Sequence, residues 1–200
     1  MASAPTAAAV PITAPRFTVD MLDALPRTGQ RYELLDGFLL VTPPPRTAHQ
    51  IVIARLSTAL ANAVGDPGPA YVVAQGVVER GDRTHFEPDL LVYPSRFSPD
   101  AEWKAVTEWW LAVEVISPGS RVYDREVKRD AYLKLGVEVV WLVDLDARRV
   151  EVWQRGASEP LALGEGETLQ WEHGPGVAPV RIEVSSLFHA FGRQPGRDEE

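Results

Sequence analysis

Hydrophobic and polar positions alternate with two different periods along the chain, and the two periods predict helices and strands in different places. A helical period predicts a short helix over residues 18–25 and a longer one over residues 47–64. Between them, two apolar runs flank Asp36-Gly37, which predicts a β-hairpin over residues 32–41. The first third of the chain therefore combines helices with an antiparallel strand pair.

Strands dominate the pattern that follows. Residues 71–79 and 86–93 are predicted as two strands with a turn at Gly81-Asp82. Residues 109–116 are almost continuously apolar, which is typical of a central strand buried on both faces. A further helix and a strand pair are predicted over residues 122–135, 139–145 and 149–155. Together these elements favour an α/β (α+β) fold, with a mixed central sheet flanked by helices.

Length and composition indicate one domain. A chain of 200 residues with 45% hydrophobic content buries a core of ordinary size, and we predict a single domain over residues 16–191. Residues 1–15 lack the basic start and apolar stretch of a secretory signal and are predicted to be a disordered tail, and residues 192–200 a flexible one. No apolar run reaches the roughly 18 residues of a membrane span, so a soluble protein is expected.

The charge and the cysteine count restrict the possible functions. A net charge of -8 argues against a protein that holds nucleic acid through a broad basic surface. That objection is weak, because a divalent-metal site needs clustered acids and because Arg121, Arg125 and Arg129 form a local basic group. The absence of cysteine excludes disulfides and thiolate metal sites, and it is compatible with the cytoplasmic location that we expect.

Glu114 is the most informative residue, because it is a carboxylate inside the predicted central strand. Strand alternation places it on the same face as Ala112 and Ile116. An ionised carboxylate buried there needs a cation, a proton or a metal ion. The alternative is a buried structural ion pair.

A second carboxylate, Asp89, follows Pro88 at the start of the apolar stretch of residues 90–93. If its strand pairs with that of Glu114, their backbones lie about 4.8 Å apart, and both carboxylates can reach one hard cation such as Mg²⁺. Taken alone, Asp89 is better explained as a cap at a turn or strand start.

The helix predicted after Glu114 adds a third group. At 100° per residue, Asp124 and Lys128 fall within its apolar arc and face the sheet, while Arg125, Glu126 and Arg129 are expected to point to solvent. The alternative is an ordinary surface ion pair between Asp124 and Lys128.

Two strand carboxylates and an inward lysine are the groups that metal-assisted phosphodiester hydrolysis requires. A metal ion polarises the phosphate and lowers the pKa of a bound water, and a lysine orients that water or stabilises developing negative charge. Glu33 is a candidate for a further acid, and the alternative is an exposed charge on a strand.

Six stretches, taken in order, resemble the successive motifs of the bacterial Uma-two family, which belongs to the PD-(D/E)XK restriction-endonuclease-like superfamily. They are Tyr32-Glu33-Leu34-Leu35-Asp36-Gly37, His49-Gln50, Pro88-Asp89-Leu90, Val113-Glu114-Val115-Ile116-Ser117-Pro118, Tyr123-Asp124-Arg125-Glu126-Val127-Lys128 and Trp141-Leu142-Val143-Asp144. The resemblance runs from about residue 18 to residue 188, and the ordered set is far more specific than any one motif.

The resemblance implies a restriction-endonuclease-like fold, a Mg²⁺ or Mn²⁺ site at Asp89 and Glu114, Glu33 as an auxiliary acid, and a homodimer. One departure from the superfamily pattern concerns the lysine expected two positions after Glu114, where this chain has Ile116. In the resembled family the lysine is moved to the following helix, which fits Lys128.

Other residues carry weaker signals. His49 and Gln50 begin the long helix and are candidates for an auxiliary role, although a lone histidine is more often a capping or packing residue. The remaining histidines lack the spacing of a zinc site. No glycine-rich phosphate loop or Gly-x-Ser-x-Gly elbow is present, which excludes nucleotide triphosphatases and serine hydrolases of those types.

Three functional hypotheses follow. The first is a DNA endonuclease with Asp89 and Glu114 as metal ligands, Lys128 as activator and Glu33 as auxiliary acid. The second is a non-catalytic module that binds nucleic acid or protein on a nuclease scaffold. The third is a structural protein whose buried charges are ion pairs, and it predicts that Asp89 and Glu114 point to different places.

Overall fold

The computed structural model describes residues 15–22, 24–26, 29–42, 44–116 and 123–189. The tails predicted over residues 1–15 and 192–200 lie outside the described residues, except for residue 15. The predicted domain limits at residues 16 and 191 stay a prediction. Within the described ranges, no helix has the length and apolarity needed to cross a membrane.

Four α-helices and twelve strands make up these ranges. In chain order they are α1 (Val19–Leu22), β1 (Arg31–Leu35), β2 (Phe38–Thr42), α2 (Thr47–Val64), β3 (Ala70–Ala74), β4 (Val78–Arg80), β5 (Thr84–Phe86), β6 (Leu90–Pro94), β7 (Leu111–Ile116), α3 (Arg129–Leu135), β8 (Val139–Asp144), β9 (Arg149–Gln154), β10 (Leu161–Leu163), β11 (Thr168–Trp171), β12 (Val180–Glu183) and α4 (Val184–Leu187). A 3₁₀ turn covers Trp103–Ala105, and a π-helical segment, Tyr123–Lys128, runs directly into α3.

A six-stranded sheet with the order β10-β9-β8-β7-β6-β3 forms the centre of the fold. Its β7 and β8 strands pair in parallel, and the other neighbours pair antiparallel. Every residue of β6 and β7 is buried, as expected for central strands covered on both faces. The predicted mixed central sheet is therefore confirmed.

Separate apolar cores cover the two faces of this sheet. Helix α2 packs on one face through buried residues at helical spacing: Val52, Ile53, Leu56, Leu60 and Val64. The other face, which carries Ala112 and Ile116, packs against Ala131 and Tyr132 of α3. Side chains on alternate positions of β7 thus enter different cores, and Glu114 lies on the α3 face.

A second sheet of four strands, in the order β2-β1-β5-β4, lies beside the α3 face. The predicted hairpin is confirmed, since β1 and β2 pair antiparallel across Asp36 and Gly37, whose φ angles are 50° and 82°. Positive φ at both central residues is the signature of a type I′ turn. The predicted turn at Gly81 is also present and joins β4 to β5.

Two strand predictions are wrong. Residues 71–79 and 86–93 were each expected to form one strand, but each range contains two strands that belong to different sheets. Between β3 and β4 the chain turns at Gly76, where a Cβ would lie 2.7 Å from Val73 Cγ2 and 2.8 Å from Leu91 Cβ. Since residues on both sides of Gly76 are apolar, periodicity does not reveal where the chain leaves the first sheet for the second. In the other range the polar stretch Glu87-Pro88-Asp89 separates β5 from β6.

The helices match their predictions to different degrees. Helix α2 coincides with the predicted range, whereas α1 has four residues and is shorter than the range 18–25. The helix predicted over residues 122–135 is present from residue 123, and its first six residues are π-helical. Strands β10 to β12 and α4 had no counterpart in the prediction, and they pack Leu169, Ile182 and Leu187 into the core beneath α2.

Candidate active site

Glu114 is a buried charge on the α3 face of β7, with 2% of its surface exposed. The Tyr132 hydroxyl donates a hydrogen bond of 2.6 Å to its Oε1, and the Lys128 ammonium lies 3.2 Å from the same oxygen. Burial raises the pKa of Glu114 well above its ordinary value, against the opposing effect of Lys128 and with the nearby acids adding to it. The Lys128 ammonium therefore does not fully compensate the charge of this carboxylate.

Lys128 sits at the end of the π-helical segment and is 2% exposed. Its ammonium lies 2.7 Å from Glu33 Oε2 and 3.7 Å from Asp124 Oδ1, in addition to its contact with Glu114. Asp124 and Lys128 thus face inward, as the apolar arc predicts, and the alternative of a surface ion pair is wrong. Burial alone would lower the pKa of Lys128, but the surrounding carboxylates raise it, so the side chain is a permanent cation.

Asp89 precedes β6 and lies next to Glu114, because the β6–β7 register pairs Leu90 with Val113. One residue further along, an antiparallel pair brings residues 89 and 114 to the same face. Asp89 Oδ2 accepts a hydrogen bond of 2.8 Å from the Val115 amide, which fixes the carboxylate to the strand of Glu114. The third hypothesis predicts that the two acids point to different places, and this register does not fit that prediction. The buried ion pairs that the same hypothesis assumes are present, such as the pair of Lys128 with Glu114.

The side chains of Arg31 and His49 hold the Asp89 carboxylate from its other side. Arg31 donates a 2.7 Å hydrogen bond to Oδ1, and His49 Nε2 lies 2.9 Å from Oδ2. Burial would raise the pKa of Asp89, but His49 and Arg31 outweigh it and hold the pKa below its ordinary value. Asp89 is therefore an ionised carboxylate at neutral pH, whereas Glu114 beside it is poised toward protonation.

Glu33 comes from the second sheet and joins it to the cluster. It is fully buried on β1, and its Oε1 accepts a 2.9 Å hydrogen bond from the Glu87 amide. Its other oxygen makes the ion pair with Lys128. The alternative of an exposed strand charge is therefore wrong.

The two auxiliary candidates on α2 differ in their surroundings. His49 is buried and contacts Asp89, so it reaches the acid cluster. Gln50, the next residue, is exposed on the helix surface. The structure therefore brings His49 and Asp124 together with the predicted site residues and leaves Gln50 outside their contacts.

Arg31 and Tyr132 belong to the cluster but were not predicted as site residues. Arg31 is two residues before Glu33, so strand alternation places both on one face, and that spacing was an available signal. Tyr132 was assigned only to the apolar arc, although it is four residues after Lys128 and so lies one turn further along the same helix face. Its hydroxyl shows that an aromatic residue on an apolar face can also hold a buried acid.

The chain matches one protein family over most of its length. The family model Uma2, described as "Putative restriction endonuclease", matches residues 19–181. The chain belongs to the Uma2 family. The resemblance stated from the ordered motifs is thereby confirmed.

A solved structure shares the Uma2 fold seen here. It is described as "a putative nuclease belonging to DUF820 from Anabaena variabilis", and it matches with a TM-score of 0.67 and 20% sequence identity. The match covers 86% of this chain and 97% of that chain. At this identity the likeness shows the fold alone, and the predicted fold class is confirmed. No curated protein matches the chain.

The arginines of this Uma2 member do not form the free basic group suggested by the sequence. Arg125 was expected to point to solvent, but it lies 2.8 Å from Asp144 and 3.1 Å from Glu151. Arg129 stacks over the Trp153 ring at 4.0 Å. Arg121 lies outside the described residues. Arg125 and Arg129 therefore anchor the helix that carries Lys128, and this use leaves them less available to a phosphate.

A divalent ion fits the donor chemistry of the Uma2 cluster. Asp89 and Glu114 supply carboxylate oxygens, the ligands that Mg²⁺ and Mn²⁺ prefer. Over the described ranges, however, no three His, Asp or Glu side chains are grouped as a metal site. Arg31 and Lys128 supply the cations that contact the two acids.

Proposed function

We propose that this protein is a metal-dependent endonuclease that hydrolyses phosphodiester bonds of DNA. The observation that carries the proposal is a buried group of charges in which Lys128 contacts Glu33 and Glu114, while Asp89 is hydrogen-bonded to the strand of Glu114 through the Val115 amide. The family match is one support for the proposal. The other is physical, because burying so many charges costs free energy and gives a purely structural scaffold no obvious advantage.

Asp89 and Glu114 would hold Mg²⁺ or Mn²⁺. When bound, the ion would polarise the phosphate and make a water molecule easier to deprotonate. Lys128 would orient that water or stabilise the negative charge that develops on the phosphate. Glu33 would act as the auxiliary acid, and its 2.7 Å contact with Lys128 positions the ammonium.

The remaining contacts would position these groups. Tyr132 holds the Glu114 carboxylate by a 2.6 Å hydrogen bond, and His49 holds Asp89. Asp124 supports the Lys128 ammonium from one helical turn earlier. Gln50 is exposed on α2 beside His49, and we propose it as a contact to the substrate.

The proposal also covers the partner, the oligomeric state, the cellular location and the domain limits of the enzyme. DNA is the proposed partner, because the family description and the solved neighbour both point to nuclease chemistry. We also propose a homodimer, which the family resemblance implies, and a cytoplasmic location, with which the cysteine-free composition is compatible. We also propose that residues 16–191 form a single domain.

A second candidate is a non-catalytic module on the nuclease scaffold that binds nucleic acid or protein. The observation that favours it is the pairing of both acids with cations of the chain, Arg31 on Asp89 and Lys128 on Glu114. A network retained only for structure would have these contacts. It predicts binding without hydrolysis.

A cleavage assay separates the two candidates. Supercoiled plasmid and single-stranded DNA are incubated with the protein and Mg²⁺ or Mn²⁺, and the products are followed on gels. We expect nicking by wild type, a loss of about 100-fold or more for Glu114→Gln, and no change for Glu126→Gln, a matched substitution at an exposed position. Absence of cleavage by the wild type on every DNA and metal tested would favour the non-catalytic module.

A further inference from the structure

A pocket of about 380 Å³ opens beside the acid cluster. Its lining includes apolar side chains from α1 and the turn after it, among them Leu22 and Leu25, and the aromatic Tyr32 of β1. His85 and Glu87 lie on another part of the lining. The pocket therefore combines an apolar wall and an aromatic ring with polar groups, which is the usual composition of a small-ligand site.

Arg31 connects this pocket to the acid cluster. It lines the pocket, donates to Asp89 at 2.7 Å through one terminal nitrogen, and donates to the Glu87 carbonyl at 3.1 Å through the other. A second link runs through Glu87, whose amide donates to Glu33. A ligand seated in the pocket thus lies one side chain away from the carboxylate proposed to hold the metal.

Gln75 supplies an adaptable polar group at the pocket. It is exposed and has a left-handed backbone with φ of 55°, a conformation that few residues other than glycine adopt. The backbone N–H of Gln75 donates to the backbone carbonyl of Asp89 at 3.2 Å, so the position of its main chain is tied to that of the acid. A glutamine side chain offers both a donor and an acceptor, the combination that pairs with the edge of a nucleobase.

His85, another polar residue of the lining, is held rigidly. His85 lies between two carboxylates, with Nδ1 3.1 Å from Glu79 and Nε2 3.4 Å from Glu87. Both ring nitrogens are thus engaged, and the side chain cannot turn without breaking a contact. This rigidity favours a pocket that exists before its ligand arrives.

The volume of about 380 Å³ lies within the range of small-ligand sites, and a base held inside a duplex cannot enter such a pocket. We propose that it holds the base of the nucleotide next to the phosphate attacked at the acid cluster. The substrate is then a single strand or a duplex with an unstacked base. This inference rests on the proposed nuclease function for the position of the phosphate, but base binding itself requires no cleavage.

Two oligonucleotides test the inference by fluorescence anisotropy, with Ca²⁺ in place of Mg²⁺ so that affinity is measured apart from hydrolysis. One is a labelled deoxycytidine hexamer, and the other is the same backbone with abasic residues. We expect the hexamer with bases to bind about tenfold or more tightly. Equal affinity for the two, or no binding of the hexamer with bases, would overturn the proposal.

Variants locate the binding. Leu25→Trp fills the pocket from a half-buried position and is expected to weaken binding of the hexamer with bases to the level of the abasic one. Gln75→Ala is expected to weaken it by a smaller factor, and Gln170→Ala, at an exposed position on β11, leaves it unchanged. Circular dichroism checks that each variant is folded. Wild-type affinity in folded Leu25→Trp would overturn the proposal.

The results also separate this inference from the proposed nuclease function. DNA cleavage by wild type together with equal binding of the two hexamers overturns the base pocket and leaves the nuclease standing. Pocket-dependent binding without cleavage of any DNA supports base recognition and overturns the nuclease. Binding and cleavage that both fall in Leu25→Trp support the two together.

Discussion

Replacing Lys128 by methionine removes an ammonium that three carboxylates share while leaving the volume of the side chain nearly unchanged. The three distances are 2.7 Å to Glu33, 3.2 Å to Glu114 and 3.7 Å to Asp124. Because the side chain is 2% exposed, water cannot take the place of the lost charge. The substitution therefore tests how strongly the buried cluster depends on its internal cation.

The loss of stability expected for Lys128→Met follows from the contact distances. At an effective dielectric constant of about 20, each contact is worth roughly 5 kcal/mol before desolvation. Desolvation costs several kcal/mol for each ion, so the net effect of removing one partner of a buried pair is about 3–5 kcal/mol. That loss is a large fraction of the stability of an ordinary domain, which is about 5–15 kcal/mol.

Urea unfolding followed by tryptophan fluorescence measures the loss. Lys134→Met, at an exposed position of α3, is the matched control and should change the free energy of unfolding by less than about 0.5 kcal/mol. Adding Glu33→Gln to Lys128→Met should restore part of the stability, because it removes one of the uncompensated charges. A loss below about 1 kcal/mol for Lys128→Met, or a further loss in the double variant, would refute the reasoning.

Two further predictions concern the strands around the cluster. Gly76→Ala places a Cβ 2.8 Å from that of Leu91, and we expect a loss of about 1–3 kcal/mol in urea unfolding, whereas Gly166→Ala, which meets nothing within 4 Å, should be nearly neutral. For His85, burial lowers the pKa, but its two glutamate partners outweigh burial and raise it above the ordinary value. The contribution of protonated His85 to the free energy of unfolding is therefore complete below the unfolded-state pKa of about 6.5. It disappears as the pH rises through the folded-state pKa. His85→Asn should lose more stability at pH 6 than at pH 8, and an equal loss at both would contradict this assignment.

The parts of the fold that local chemistry determines were predictable from the sequence. The hairpin depends on Asp36-Gly37, which favours the positive φ angles of its turn. Helix α2 depends on an apolar stripe at a spacing of three and four residues. The passage of the chain from one sheet to the other at Gly76 was not predictable, because it depends on the close approach of Leu91 from another strand.

The same distinction applies to the candidate site. Glu114 and Lys128 stand out in the sequence, because each is a charge at a position where the surrounding pattern is apolar. Arg31 meets Asp89 across 58 residues of sequence, and no local periodicity encodes that contact. The basic group at Arg125 and Arg129 was misinterpreted for a related reason, since partners on β8 and β9 engage these arginines only in the folded chain.

The pairing of the acids with Arg31 and Lys128 has a consequence for metal binding. A divalent ion entering between Asp89 and Glu114 would meet two positive side chains already in contact with them. Its binding should therefore be weaker than at a cluster of free carboxylates, and the raised pKa of Glu114 adds competition from protons. We expect the metal to bind more firmly when a phosphate adds its own negative charge.

Binding of Mn²⁺, measured as the loss of the free-ion electron paramagnetic resonance signal, tests the central claim most directly. With a short non-cleavable oligonucleotide present, we expect wild type and the exposed-position control Glu126→Gln to bind Mn²⁺ alike. Glu114→Gln should bind it at least about tenfold more weakly. Undiminished Mn²⁺ affinity in Glu114→Gln, or no bound Mn²⁺ in the wild type, would show that the buried carboxylates serve the fold and hold no metal.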